Sequence, residues 1–259
     1  MHPGDPCATG SACNNVCNED AGNCFVAGGT PCADDGNPCT VGSCDGAGTC
    51  VHTFVDTNND GVCDAIENAG PNGGDANGDG TADSQQSEVT SLPDAVTGAY
   101  LTLLTKPSCP QSNVAAIGPG GLATADNRLP FGALAFTLQC ESTMVTVYYH
   151  GVSNLESPPF RYLKRGPNPP GSPTDVIYFL GNATFGSAYP YGVPVGAVEF
   201  ALQNNAIGDD TGDDGLIVDQ GGPALPAPAA TPAATPAALG LSVLALLVVA
   251  WRALSRRSG

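Results

Sequence analysis

Two acidic ladders stand in tandem between residues 56 and 86, in a stretch of chain with no cation to balance them. The first, DTNNDGVCDAIE, sets Asp56, Asn58, Asp60, Gly61, Asp64 and Glu67 at positions 1, 3, 5, 6, 9 and 12 of a loop, with the Val62 carbonyl at position 7. The second, DANGDGTADSQQ, sets Asp75, Asn77, Asp79, Gly80, Thr81 and Asp83 at positions 1, 3, 5, 6, 7 and 9. Alternate residues offer oxygens, while a glycine at position 6 takes the left-handed turn that wraps backbone around a hard cation. Before Lys106 there is no lysine or arginine, against 15 aspartates and glutamates, and the whole chain carries −17. Such carboxylates must stand apart in water or share metal ions. The pattern therefore points to calcium as cofactor, and it makes nucleic acid and anionic membrane surfaces poor partners.

Eight of the eleven cysteines fall in the first 50 residues, as Cys7-x5-Cys13-x3-Cys17-x6-Cys24 and then Cys32-x6-Cys39-x4-Cys44-x5-Cys50. The second set repeats the first after 25 to 27 residues, so one small module is duplicated. A unit of that size cannot bury a core that folds unaided, and disulfides in an oxidising compartment are the usual remedy. Zinc is the rival, because Cys50 and His52 form a Cys-x-His pair, but no clean Cys-x2-Cys set accompanies them. Pairing within each four-cysteine unit is expected. Cys109 and Cys140 are placed to bridge two early strands of the following domain. Cys63 is then odd, with a partner expected upstream of Met1. Because MHPGDPCATG has no basic and apolar leader, Met1 is expected to be internal to a longer exported chain.

From residue 88 to 220 short runs of β-formers alternate with Gly, Pro and Asn. Strands are expected at 99–105, 113–117, 132–139, 144–149, 161–163, 176–180, 197–202 and 216–218, which fits an antiparallel β-sandwich. The fold class is thus mainly β, divided as follows. A disulfide-rich irregular module spans 1–54, a linker of tandem calcium loops 55–87, and the sandwich 88–220. A Pro/Ala spacer covers 221–238, and one C-terminal hydrophobic helix with an arginine cluster covers 239–259. The apolar run from Ala237 to Trp251, followed by Arg252, Arg256 and Arg257, is short for a membrane span but long enough with a snorkelling arginine. It places the C-terminus inside and the rest outside, at the inner membrane or cell envelope.

This layout resembles the tails of bacterial exosortase-like and rhombosortase-like substrates, and more loosely the Ile-Pro-Thr-Leu-Ser type, which implies a sorting protease. No Pro-Glu-Pro or Ser-x-Trp-Gly precedes the helix. Residues 56–223, from the ladders through ENAGPNGGDANGDGTADSQQSEVTSLPDAVTGAYLTL to GDDTGDDGLIVDQGGPA, resemble the bacterial choice-of-anchor U domain. That resemblance implies calcium-ordered display on a Gram-negative surface and no defined activity. The ladders also resemble thrombospondin type 3 repeats. Dockerin loops share the chemistry but lead into helices, which AGPNGG after Glu67 forbids. Gln86 stands where the second loop wants a bidentate glutamate, so that site binds more weakly or borrows Glu88.

Two further clusters offer other readings. The loop Gly208–Gly215, with Asp209, Asp210, Asp213, Asp214 and nearby Asp219, reads as a solvated acidic loop or a third calcium site. Tyr148, Tyr149, Phe160, Tyr162, Tyr178, Phe179, Phe185, Tyr189 and Tyr191 read as core and turn packing before a sugar-stacking platform. Asn182-Ala-Thr184 matches a glycosylation sequon by chance. Catalysis has little to stand on: His2, His52 and His150 are the only histidines, and there is no Gly-x-Ser-x-Gly, phosphate loop or His-Glu-x-x-His. The leading reading is a non-enzymatic, surface-displayed structural or interaction protein whose extracellular ligand is unknown. The alternatives are an adhesin using Tyr189 and Tyr191, and a secreted hydrolase using His150.

Overall fold

The computed structural model describes residues 7, 10–17 and 22–228. The described residues as far as Pro226 belong to one compact unit. The hydrophobic helix, the arginine cluster and residues 229–238 of the spacer lie outside the described residues. Among those that are described, no helix is long and apolar enough to cross a membrane.

This unit opens with a hairpin, β1 (Thr40–Cys44) and β2 (Cys50–Phe54), so the second cysteine repeat is not wholly irregular. Asp45 closes its turn by accepting the amides of Ala47 and Thr49. After the ladders come β3 (Val89–Pro93), β4 (Tyr100–Leu104), β5 (Gln111–Ile117), β6 (Asn127–Arg128) and β7 (Ala133–Leu138). Then follow β8 (Ser142–Tyr149), β9 (Arg161–Pro167), β10 (Asp175–Leu180), β11 (Thr184–Ala188), β12 (Val195–Gln203) and β13 (Ile217–Pro226). One sheet has the order β10-β9-β13-β7-β5, with β6 beside β13, and the other β11-β12-β8-β4-β3. All pairings are antiparallel.

Strict alternation explains the packing. Thr143, Val145, Val147 and Tyr149 of β8 point inward while Ser142, Met144, Thr146 and Tyr148 point away. Their inner face meets Leu134, Phe136 and Leu138 of β7, Tyr162 of β9 and Ile217 of β13 in one core shared by both sheets. At about 1.5–3 kcal/mol for each fully buried large apolar side chain, this core is the main favourable term of the fold.

Each of the eight expected strands is a strand, and β3, β6 and β11 are additional. Residues 221–226, expected in the spacer, are instead the second half of β13, paired with β9 and β6. Their Gly-Gly-Pro-Ala composition hides a strand because Gly221 and Gly222 are squeezed between neighbours. A Cβ on Gly221 would come within 2.5 Å of the Tyr162 ring, and one on Gly222 within 2.4 Å of the Gly132 carbonyl.

The disulfides correct the pairing expected from the cysteine spacing. Cys7–Cys24 and Cys32–Cys50 stay within their repeats, but Cys13–Cys44 joins the two repeats and Cys39–Cys63 joins the second repeat to the first ladder. Cys63 therefore needs no partner beyond the chain. The hairpin brings Cys39, just before β1, beside the ladder, where the Val55 amide bonds to the Cys39 carbonyl and the Asp64 amide to Val55. Cys109–Cys140 forms as expected, and Cys17 is the free, exposed thiol.

Candidate metal centre

Both ladders fold back on themselves through left-handed glycines and carboxylates that accept main-chain amides. Gly61 and Gly80, each at position 6, have φ of +100° and +94°. In the first, the Gly61 amide bonds to Asp56 Oδ2 at 3.0 Å, the Asp60 amide to Asn58 Oδ1 at 3.3 Å and the Val62 amide to Asp60 Oδ1 at 2.7 Å. In the second, Asp75 takes the amides of Gly78, Asp79 and Gly80, and Asp79 takes that of Thr81 at 2.9 Å. The expected absence of a helix after the first ladder is corrected in part. One turn, α1 (Asp64–Asn68), forms inside the ladder's end and buries Glu67. Gly70-Pro71 then stops it, and Asn72 and Gly73 turn left-handed.

The ladders are not free-standing loops. The Val114 amide of β5 bonds to the Asp60 carbonyl at 2.8 Å. Gly78 lies so close to the Pro190 carbonyl that a Cβ would approach to 2.0 Å. Asp60, Glu67 and Asp83 are each fully buried. Between them stands one amide: Asn58 Nδ2 has Asp60 Oδ2 at 3.0 Å, Glu67 Oε2 at 3.4 Å, and the carbonyls of Asp83, Gln86 and Val89 at 3.2, 3.0 and 3.5 Å. Five oxygens surround a group with only two hydrogens to give. Ser91 joins the neighbouring carboxylates, its amide to Glu67 Oε1 at 3.3 Å and its hydroxyl to Asp83 Oδ2 at 2.6 Å. Asp83 Oδ1 and Asp56 Oδ1 are buried without a donor.

This crowding sets the electrostatics. Burial, then the charge of Asp60, pushes Glu67 up to about 9. Burial pushes Asp83 up to about 6 and raises Asp60 as well. An all-oxygen shell with orphaned buried carboxylate atoms fits a hard cation of the calcium kind. Among the described residues no three acidic side chains bring one oxygen each within 4.8 Å of one another.

The remaining ladder residues divide by task. Asp64 is committed to the amide and hydroxyl of Thr57, at 2.7 and 2.6 Å. In the second ladder Gln86, at position 12, gives its side-chain amide to both oxygens of exposed Asp79 at 2.9 Å and accepts from Asn77 at 3.0 Å. The Glu88 carboxylate accepts from its neighbour Ser87. The second ladder is closed by amides where the first is closed by acids.

The other candidate sites resolve into structure. Cys13, Cys32 and Cys50 bring their sulfurs within 4.8 Å of one another, but all three are in disulfides and offer no thiolate to zinc. His52 bonds to the Ala33 carbonyl. In the Gly208–Gly215 loop Asp209 is buried rather than solvated. It accepts the amides of Asn205, Thr211 and Val218 and the Thr211 hydroxyl, so it organises the loop. His150 lies between the Thr102 hydroxyl at 2.8 Å and the Tyr191 hydroxyl at 3.0 Å, and burial lowers it to about 4. Of the nine aromatic residues considered for a platform, Tyr189 is the exposed one. No family model, curated protein or solved structure matches the chain.

Proposed function

We propose that this is an exported, calcium-stabilised bacterial cell-surface protein with a structural or interaction role and no enzymatic one. In this reading the C-terminal segment holds it at the cell envelope, with or without a sorting protease, and calcium is its cofactor. The resemblance to choice-of-anchor U and thrombospondin type 3 sequences supports the same reading, as do five disulfides, which suit an oxidising exterior. The observation that carries it is the buried group Asp60, Glu67 and Asp83, set about an oxygen shell in a region without lysine or arginine. Asp56, Asn58, Asp60 and Glu67 would hold an ion at the first ladder, and Asp75, Asn77, Asp79, Thr81 and Asp83 at the second. The ion would supply the positive charge that the region lacks, fixing the cysteine module and the sandwich to each other through Cys39–Cys63 and the Asp60–Val114 bond.

Limited proteolysis tests this. With calcium, residues 56–86 should resist cleavage, and with chelator they should be cut, because folding of the loops is linked to the ion. Equal cutting in both conditions would refute the reading. Asp60→Ala should abolish more of the calcium protection than Asp79→Ala, since Asp60 is buried among acids and Asp79 is exposed and served by Gln86. The hydrolase alternative has less support, because His150 is bonded to Thr102 and Tyr191 rather than to a carboxylate. The adhesin alternative now rests on Tyr189 alone. Loss of glycan or protein capture in Tyr189→Ala would revive it.

A further inference from the structure

The core of the sandwich holds one lysine. Lys164, on β9, and Asp219, on β13, both have side chains with zero exposure, and Nζ lies 2.6 Å from Oδ1. The register explains the meeting. Lys164 is opposite Gly221, and Asp219 is two residues back along β13 on the same face. Since Gly221 has no side chain, the lysine stem can cross it: a Cβ there would meet Lys164 Cγ at 3.2 Å. Around the pair are Tyr162, its ring tilted 41° against that of Phe200 with centroids 4.4 Å apart, and Phe136, opposite Asp219 on β7. Apart from Lys164 Nζ, Asp219 has no donor among the described residues, and Nζ donates as well to the Gly208 carbonyl.

A third carboxyl packs against β9 over Gly166, two residues from Lys164. Asp210 is held by its main chain to Val218, and its Oδ1 is buried without a partner. Its side chain fills the space above Gly166, where a Cβ would come within 1.8 Å of that oxygen. Asp210 feels the charges of both Lys164 and Asp219, and burial pushes it up to about 7, so it can hold or release a proton near neutrality. Asp209, by contrast, has both oxygens occupied by loop donors.

We propose that Lys164 and Asp219 condense into an intramolecular isopeptide bond that cross-links β9 to β13, with Asp210 carrying the proton. In the first step the lysine proton passes to the carboxyl group across the 2.6 Å contact, leaving an amine and a carboxylic acid. The Nζ lone pair attacks Asp219 Cγ, and the new C–N bond forms as the C=O bond opens. Asp210 takes the second proton from nitrogen and returns it to the departing oxygen. The C–O bond breaks, water leaves, and the amide remains. An ammonium and a carboxylate become an amide and one water, so charge and atoms balance with no co-reactant. Fixed proximity of the two groups replaces activation by an external reagent. The bond would lock the last strand of the sandwich, the one that leads to the tail, onto its neighbour. It stands independently of the calcium reading.

Mass spectrometry of the reduced, alkylated full chain tests this directly. The wild-type protein should be lighter than its sequence by one water, and proteolysis should release a branched peptide joining Lys164 to Asp219. Lys164→Arg and Asp219→Ala should each have their full sequence mass. Asp210→Asn, with the reacting pair intact, should condense at least tenfold more slowly, a loss within the range removed with a proton-transferring group. A wild-type chain of full mass with no branched peptide would overturn the proposal, and that measurement does not depend on any variant folding. Complete cross-linking in Asp210→Asn would overturn the role given to Asp210.

Discussion

Measured against wild-type chain in which Lys164 and Asp219 are still an uncondensed ion pair, Lys164→Met should lower the stability of the sandwich by about 3–5 kcal/mol, the range seen when one partner of a buried pair is removed. The damage comes from what stays behind. Asp219 is fully buried with no donor apart from the lysine's approach, and burial already raises its carboxyl against the opposing charge of Lys164. With the lysine gone, only protonation can relieve it. A carboxyl whose folded pKa lies above its unfolded value destabilises the fold progressively as pH rises past the unfolded value near 4. The single variant should therefore do best in acid and worsen towards neutrality. Lys164→Met combined with Asp219→Leu should regain most of the loss, since apolar replacement of a buried pair is often neutral or better. Chemical denaturation of the two singles and the double closes the cycle. A double variant no more stable than Lys164→Met would show that the uncompensated carboxylate is not the cause.

That pair also marks a limit of reading the sequence. In RYLKRGP a lysine between arginine and leucine reads as a solvated face, and nothing local says that Gly221, far along the chain, leaves room for it. The strands that were legible, such as β8, follow strict alternation because one face is core. β3 was hidden because Thr90 and Ser91 are buried beside Val89 and Leu92, so no alternation remains. β11, Thr184–Ala188, carries a glycine and only one large apolar residue. The ladders were legible residue by residue, because oxygen spacing is a local property of the chain. The convergence of the Asp83, Gln86 and Val89 carbonyls on Asn58 was not, since it depends on where β3 packs. Disulfide connectivity escaped for the same reason: Cys39 and Cys63 meet through the hairpin, and spacing carries no record of that.

Glu67→Gln should make the protein more stable in chelator and less stable in calcium, a crossing that few buried substitutions produce. In chelator the wild-type carboxyl is buried beside Asp60 and Asp83 and raised to about 9, against an ordinary value of 4.5. Between those two values the folded state holds a proton that the unfolded state has lost, so metal-free stability falls as pH rises, by up to about 1.4 kcal/mol per unit. Glutamine imitates the protonated form and removes that slope. In calcium the order inverts, because a hard cation prefers a full carboxylate charge and glutamine offers only a carbonyl dipole. A bound ion at a hundred times its dissociation constant adds about 2.7 kcal/mol, and most of that gain should be missing from the variant. Thermal melts across pH 5–9, with chelator and with calcium, give all four curves. Parallel curves, with the variant below the wild type everywhere, would mean that Glu67 serves only as an acceptor for Asn58 and Ser91. The crossing would instead mean that its burial is tolerated for the sake of the ion, since in metal-free protein the same carboxyl only costs stability.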